Sequence, residues 1–179
     1  MADAQGLLAL QRSLEQAANL LAEVGADDLD RPTPCAGWDV RTLANHMLGS
    51  VRTFVTMLQG SPPGWHAPED FSTGFGEELR VRGNVLVNLW RELGDQAMGN
   101  PDIQAAEFAV HAWDLAVALG RDTAALDEPL AQRALVTLDA NLGVERRGNA
   151  FGPARTAPAG SDASTHLAAY AGRTVAALD

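Results

Sequence analysis

The sequence predicts an all-α protein, an up-and-down four-helix bundle with short additional helices near the C-terminus. Four long segments carry apolar residues at spacings of three and four, the pattern of a helix with one buried face. Apolar and polar residues hardly alternate, so little of the chain favours strands. Short connections rich in Pro and Gly separate the segments. A length of 179 residues fits one domain, 1–179.

The first two helices flank an irregular loop. Residues 6–24 place leucines and alanines on one face, and this helix is expected to end near Gly25. Residues 28–38 contain two prolines and a glycine, which predicts an ordered loop because proline disfavours helix in the residue before it. Asp39 can then cap a second helix by accepting hydrogen bonds from its free N–H groups, and Gly60 stops it.

The fourth helix has the clearest boundaries of those that follow. Pro101 fits its first turn, where a missing N–H leaves no hydrogen bond unmade, and Gly120 fits the position after its end. Helical periodicity also covers 77–94, 127–142 and a short stretch at 162–172. The remaining segment, 149–158, is expected to be an extended loop packed along the bundle.

The charge balance limits the classes of partner. The chain has 13 basic and 23 acidic residues and a net charge of -10, which disfavours nucleic acid and anionic membranes. The single cysteine, Cys35, cannot form an internal disulfide. No apolar run approaches the roughly 20 residues that cross a bilayer. We therefore expect a cytoplasmic protein with neither nucleic acid nor a membrane as its partner.

The predicted fourth helix is apolar almost all round, so its polar residues need an explanation. Glu107, His111 and Asp114 are spaced by four and three and therefore stand in one row on a single face. Burying an unpaired ionised carboxylate costs several kcal/mol or more, on the order of the desolvation penalty of a charge. The row thus predicts either a buried ion pair or a metal site.

A third ligand is available from the second helix. His46 shares its spacing with the apolar stripe of that helix and is expected to point into the bundle. Together, His46, Glu107 and His111 form a set that suits a divalent transition metal and leaves one coordination position open. Zinc, nickel, iron and manganese all accept such ligands, and Asp114 could orient His111 by hydrogen bonding. The alternative is an ion pair of Glu107 and His111, with His46 as a core histidine.

The other candidate ligands have weaker support. Cys35 lies in the loop before the second helix and could approach the metal, although a buried cysteine is more often a small apolar residue. His66 and His166 lack the spacing of metal ligands and are expected at the surface or in caps.

Two segments resemble a known family. Residues 32–46, Pro-Thr-Pro-Cys-Ala-Gly-Trp-Asp-Val-Arg-Thr-Leu-Ala-Asn-His, and residues 106–116, Ala-Glu-Phe-Ala-Val-His-Ala-Trp-Asp-Leu-Ala, resemble the metal-binding domain of mycothiol-dependent maleylpyruvate isomerase, within the DinB-like superfamily. Phe151-Gly-Pro and residues 167–173 resemble the end of its single-domain actinobacterial members. The resemblance implies a four-helix bundle with a divalent metal, commonly zinc, on residues matching His46, Glu107 and His111. It also implies a low-molecular-weight thiol cofactor, mycothiol.

The resemblance implies a metal-dependent thiol transferase or isomerase acting on a small electrophilic molecule. Trp38, Trp113 and an arginine, Arg41 or Arg155, are candidates for positioning that substrate. The family's isomerase has a further C-terminal domain, whereas this sequence ends soon after the bundle, so isomerisation of maleylpyruvate itself is not expected.

Two alternative functions remain open at this point. One is a metal-dependent hydrolase with Asp114 or a loop carboxylate as general base. Another is a non-catalytic metal-binding module of a stress response. Amphipathic helices at either end could also form a homodimer face.

Overall fold

The structure is a computed structural model that describes residues 4–62, 69–143, 147 and 151–175. Throughout these residues the only regular elements are helices, so the predicted all-α bundle is confirmed. The helices are α1 (Ala4–Ala22), α2 (Val40–Leu58), α3 (Phe75–Leu93), α4 (Pro101–Ala118), α5 (Glu128–Asn141) and α6 (Ala163–Tyr170). The predicted boundaries differ from these by no more than two residues. None of the described helices is both long and apolar enough to cross a membrane.

The local capping explains where the helices begin and end. Asp39 caps α2 by accepting a hydrogen bond of 2.8 Å from the backbone N–H of Thr42. Gly74 adopts a positive φ of 71° immediately before α3, which sets the start of that helix at Phe75. Gly120 likewise has a φ of 67° just beyond α4. These turns are the ones that the sequence pattern indicated, apart from the earlier start of α3.

The helix directions differ in one respect from a simple up-and-down arrangement. The start of α1 lies against the start of α4, since a Cβ on Gly6 would be 3.0 Å from Pro101. Their ends also meet, because Arg121 pairs with Glu23 at 2.7 Å. These two helices are therefore parallel.

The other two helices of the bundle run the opposite way. α3 is antiparallel to α1, since Gly76 faces Ala22 and Gly83 faces Leu14. α2 is antiparallel to α4, because His46 lies against His111 while Ser50, later on α2, lies against Glu107, earlier on α4. α2 and α3 are therefore parallel. A 19-residue helix spans about 28 Å. The connection 59–74 is long enough to cover that distance from the end of α2 back to the end of the bundle where α2 begins, so that α3 can start there.

Helix α4 is the central element. It packs on α1 and α5, contacts α2 and α6, and is buried along most of its length. Its alanines allow the neighbouring helices to approach closely, while Phe108 and Leu115 are completely buried in the core. α2 and α4 are the most loosely packed of the neighbouring pairs among α1 to α4. The polar row predicted on α4 faces this looser contact.

Two irregular segments complete the surroundings of α4. Before α2, Thr33 holds Trp38 in place, since its backbone N–H and its hydroxyl both donate to the Trp38 carbonyl, at 3.0 and 2.9 Å. Residues 151–158, described without regular structure, run along α6 as the sequence predicted. There the backbone N–H of Arg155 donates to the carbonyl of Ala169 at 2.9 Å.

The close contact of α1 with α3 gives a prediction about stability. A Cβ at residue 76 would lie 2.6 Å from the carbonyl oxygen of Ala18 and 2.8 Å from the Cβ of Ala22. We expect Gly76→Ala to lower the free energy of unfolding by about 1–3 kcal/mol, the range for overpacked cores, as measured by urea denaturation. The matched control is Gly49→Ala in α2, where the added Cβ would meet Glu69 only at 3.9 Å. Equal effects of the two substitutions would contradict this account.

Candidate metal centre

Three side chains meet between α2 and α4. His46 lies on α2, while Glu107 and His111 lie one turn apart on α4. Oε1 of Glu107 is 2.9 Å from Nε2 of His46 and 3.4 Å from Nε2 of His111. All three donor atoms lie within 4.8 Å of one another. Donor atoms around tetrahedral zinc are about 3.3 Å apart, given Zn–N distances near 2.0–2.1 Å, so this spacing fits a three-ligand site.

The exposure of these side chains increases from α4 towards α2. The side chain of His111 is 9% exposed, that of Glu107 24% and that of His46 35%. Ser50, one turn after His46 on α2, donates a hydrogen bond of 3.3 Å to Oε1 of Glu107. These side chains are therefore partly exposed on the α2 side and anchored in the core on the α4 side.

An aromatic ring lies over the two imidazoles. The ring centroid of Trp38 is 4.7 Å from that of His46 and 6.1 Å from that of His111. The two imidazoles meet edge to face at 4.8 Å. Trp38 is half-buried, and the loop described above fixes its position. Its ring therefore covers one side of the imidazole pair.

The hydrogen bond of His111 determines what its other nitrogen can do. Nδ1 of His111 lies 2.9 Å from Oδ2 of Asp114 and donates its proton there. In the neutral ring Nε2 then carries a lone pair, and that lone pair faces the carboxylate of Glu107. Two acceptors at this distance repel each other unless a positive charge is shared between them. Either a proton or a metal cation meets this requirement, so the donor set fits a metal.

The pKa values follow from the same geometry. Burial raises the pKa of Glu107, but the charge and hydrogen bonds of His111 and His46 outweigh it and hold that pKa well below 4.5. Burial lowers the pKa of His111, but Glu107 and Asp114 outweigh it and hold that pKa well above 6.5. Without metal, His111 and Glu107 thus form the imidazolium–carboxylate pair that was the alternative interpretation of the sequence.

Asp114 is the most deeply buried member of the cluster, with no exposed surface. Arg173 donates to both of its oxygens, from Nε to Oδ1 at 2.9 Å and from Nη2 to Oδ2 at 2.8 Å. The thiol of Cys35 donates to Oδ2 at 3.1 Å. Desolvation raises the pKa of Asp114, but hydrogen bonds from His111 and Arg173 more than offset it, so that pKa is lowered. The carboxylate therefore stays ionised in the core.

A second group of potential ligands shares His111. Cys35, His111 and Asp114 also place ligand atoms within 4.8 Å of one another. However, Arg173 holds both oxygens of Asp114, so a cation there would lie next to a guanidinium. Repulsion between the two positive charges disfavours this position. The group at His46, Glu107 and His111 is the better candidate.

The profile of one protein family matches this chain. It is the mycothiol maleylpyruvate isomerase N-terminal domain, and the match covers residues 10–100. This chain belongs to that family. An uncharacterized protein of Mycobacterium tuberculosis, from strains CDC 1551 and H37Rv, is 31% identical to it over 179 residues. That alignment covers 94% of this chain and 98% of the mycobacterial proteins. No solved structure matches the chain.

The family match covers only part of the centre. Residues 10–100 include Cys35, Trp38 and His46, whereas Glu107 and His111 follow the end of the match on α4. The family match therefore includes the α2 residues of the centre in its range without assigning a role to any of them. The metal ligands on α4 stay a prediction supported by the geometry.

The other candidates for positioning a substrate in this family member contact residues outside the centre. Trp113 donates its indole N–H to Thr165 at 3.1 Å and so ties α4 to α6. Arg41 lies 3.6 Å from the carboxylate of Asp30. Arg155 is exposed. Of the four candidates, Trp38 is the one that the structure brings to the centre.

Two histidines were predicted to lie outside the centre, and one arginine near it was not predicted at all. His166 is exposed on α6, as expected, and His66 lies outside the described residues. The sequence analysis did not predict a role for Arg173. The available indication was Asp114 itself, because a buried carboxylate requires a cationic partner.

The raised pKa of His111 predicts that the stability of the metal-free protein depends on pH. The protonated ring contributes stability that is fully present below pH 6.5 and is lost as pH rises through the higher folded-state pKa. We expect the free energy of unfolding, measured with urea, to fall as pH rises above 6.5. His111→Gln should remove this part of the slope. Identical slopes for the variant and the wild type would show that His111 is not the responsible group.

Proposed function

We propose that this chain is a divalent-metal-dependent enzyme that uses a low-molecular-weight thiol, mycothiol. It either transfers the thiol to a small electrophilic molecule or isomerises such a molecule. The observation that carries the proposal is the convergence of two imidazole nitrogens and a carboxylate oxygen on one point, within 4.8 Å of one another. The family association with mycothiol supports the thiol. In this proposal His46, Glu107 and His111 hold the ion, and zinc suits this nitrogen and oxygen set.

In this proposal the residues around the metal orient its ligands and limit the access of water. Bound metal would supply the positive charge that keeps a thiol deprotonated at neutral pH, and the thiolate is the reactive nucleophile. Asp114 accepts a hydrogen bond from Nδ1–H of His111, which leaves the lone pair of Nε2 free to bind a metal. Ser50 donates to Glu107 and holds its carboxylate towards the imidazoles. Trp38 excludes water from one side.

The thiol is favoured over water as the nucleophile because of the position of Asp114. A hydrolase of this design needs a general base within reach of the nucleophile. Asp114 was the candidate on α4, yet it is completely buried and accepts hydrogen bonds from His111, Arg173 and Cys35. It is therefore not free to take a proton from an incoming water molecule. A thiol ionises far more readily than water, with a pKa of about 8.5 against about 15.7, so a thiol next to the cation has less need of such a base.

Metal content provides the first test of the proposal. We expect untagged protein, purified without chelators, to contain close to one divalent metal ion per chain, as measured by inductively coupled plasma mass spectrometry. His46→Ala and Glu107→Ala should each lose most of it because each removes one of three ligands. The matched control is His166→Ala, an exposed histidine on α6, which should keep its metal.

The contrary result is clearly defined. A wild type that contains no metal and takes up no added zinc, nickel, iron or manganese would contradict the proposal. The centre would then be a buried ion pair.

The role of the thiol is tested on the metal-loaded protein. We expect mycothiol added to cobalt-substituted protein to produce a sulfur-to-metal absorption band, and thiol-dependent turnover of an activated aryl halide. His46→Ala should abolish both, whereas His166→Ala should not. Hydrolysis of esters or amides without added thiol would instead favour the hydrolase. Bound metal with neither thiol binding nor turnover would favour the non-catalytic metal-binding module.

A further inference from the structure

The C-terminal turn, residues 171–173 directly after α6, places an arginine side chain in the core of the bundle. Arg173 follows α6 by three residues, and its side chain is only 10% exposed. Its backbone N–H donates to the carbonyl of Ala168 at 2.9 Å. Gly172, with a φ of 93°, lies directly against Gly152, since an added Cβ would be 2.6 Å from the backbone there. This tightly packed turn sets the direction in which Arg173 points.

The guanidinium of Arg173 fixes the orientation of one carboxylate. Its Nε and Nη2 donate to separate oxygens of Asp114, at 2.9 and 2.8 Å, in the two-pronged geometry that matches a carboxylate plane. A single point charge would leave that plane free to rotate, whereas the fork does not. One of these two oxygens, Oδ2, also accepts the hydrogen bond from Nδ1–H of His111.

We propose that Arg173 is a positioning residue of the metal centre and acts through Asp114 and His111. The fork places Oδ2 of Asp114, that oxygen orients the imidazole of His111, and Nε2 is thereby directed at Glu107. The C-terminal turn is then part of a centre whose ligands all come from α2 and α4. This inference rests on the proposed metal site, because it describes how one of its ligands is held.

The alternative is that Arg173 serves only as a counter-ion for Asp114. A counter-ion would affect the stability of the fold but not the arrangement of the ligands. The two roles can be separated because lysine supplies the charge without the fork. They also differ in whether the effect on metal binding requires Asp114.

Metal affinity and cobalt absorption spectra test the inference. We expect Arg173→Met to weaken zinc binding 10–100-fold, the usual effect of losing a group that orients a metal ligand. The d–d spectrum of the cobalt-substituted variant should also change. Arg173→Lys should restore stability to urea more completely than it restores affinity. The control is Arg155→Met, at an exposed arginine of residues 151–158, and we expect its zinc affinity and cobalt spectrum to be unchanged.

A double-mutant cycle shows whether the effect passes through Asp114. In an Asp114→Asn background, Arg173→Met should change zinc affinity much less than it does in the wild type. If Arg173→Met does not fold, Arg173→Lys alone serves in the cycle. Zinc affinity and cobalt spectra unchanged in both variants would overturn the inference and leave the proposed function intact. A wild type that binds neither zinc nor cobalt would overturn both.

A nuclear magnetic resonance experiment on metal-free protein gives a readout that does not depend on metal. The Nδ1–H proton of His111, buried against Asp114, should exchange slowly with water and be visible in nitrogen-15-labelled wild type. Arg173→Met should broaden or remove that resonance, and Arg155→Met should not. A resonance that persists unchanged in Arg173→Met would show that Asp114 orients His111 without the arginine.

Discussion

The burial of one ionised carboxylate, that of Asp114, is the constraint on which the rest of the structure depends. A charge in the apolar interior of α4 would cost several kcal/mol, on the order of its desolvation penalty, without partners. The fold provides those partners from three parts of the chain: Cys35 from the loop before α2, His111 from α4 itself and Arg173 from the C-terminal turn. The loop before α2 and the turn after α6 are thereby tied to the central helix, and this arrangement leaves His111 with a single free nitrogen.

The loose contact between α2 and α4 has a function in this account. Most of α4 lies against its neighbours through alanines, which permit close approach, but on the side of α2 it presents Glu107 and His111 instead. These two side chains meet the polar His46 and Ser50 of α2, and the side chains of this contact remain partly exposed. The candidate metal centre therefore lies at the most open of the contacts between neighbouring helices among α1 to α4.

The sequence predicted much of the fold and of the α4 side of the centre. Helical periodicity, Asp39 and the prolines located every helix, and the spacing of Glu107, His111 and Asp114 required one shared face. The parallel arrangement of α2 and α3 could not be predicted, because the pattern of a helix does not state its direction. The contact of Arg173 with Asp114 could not be predicted either, since it joins residues 59 positions apart. No local rule specifies a contact that depends on the complete fold.

The tight turn at Gly172 also affects the order in which the molecule can assemble. Arg173 reaches Cys35 and Asp114 only after the backbone has packed against Gly152, and Cys35 precedes Arg173 by 138 positions. During synthesis, α1 to α4 leave the ribosome long before that arginine does. Until then Asp114 lacks the guanidinium that pairs with both of its oxygens. The turn that follows α6 therefore completes the set of polar partners in the core of the bundle.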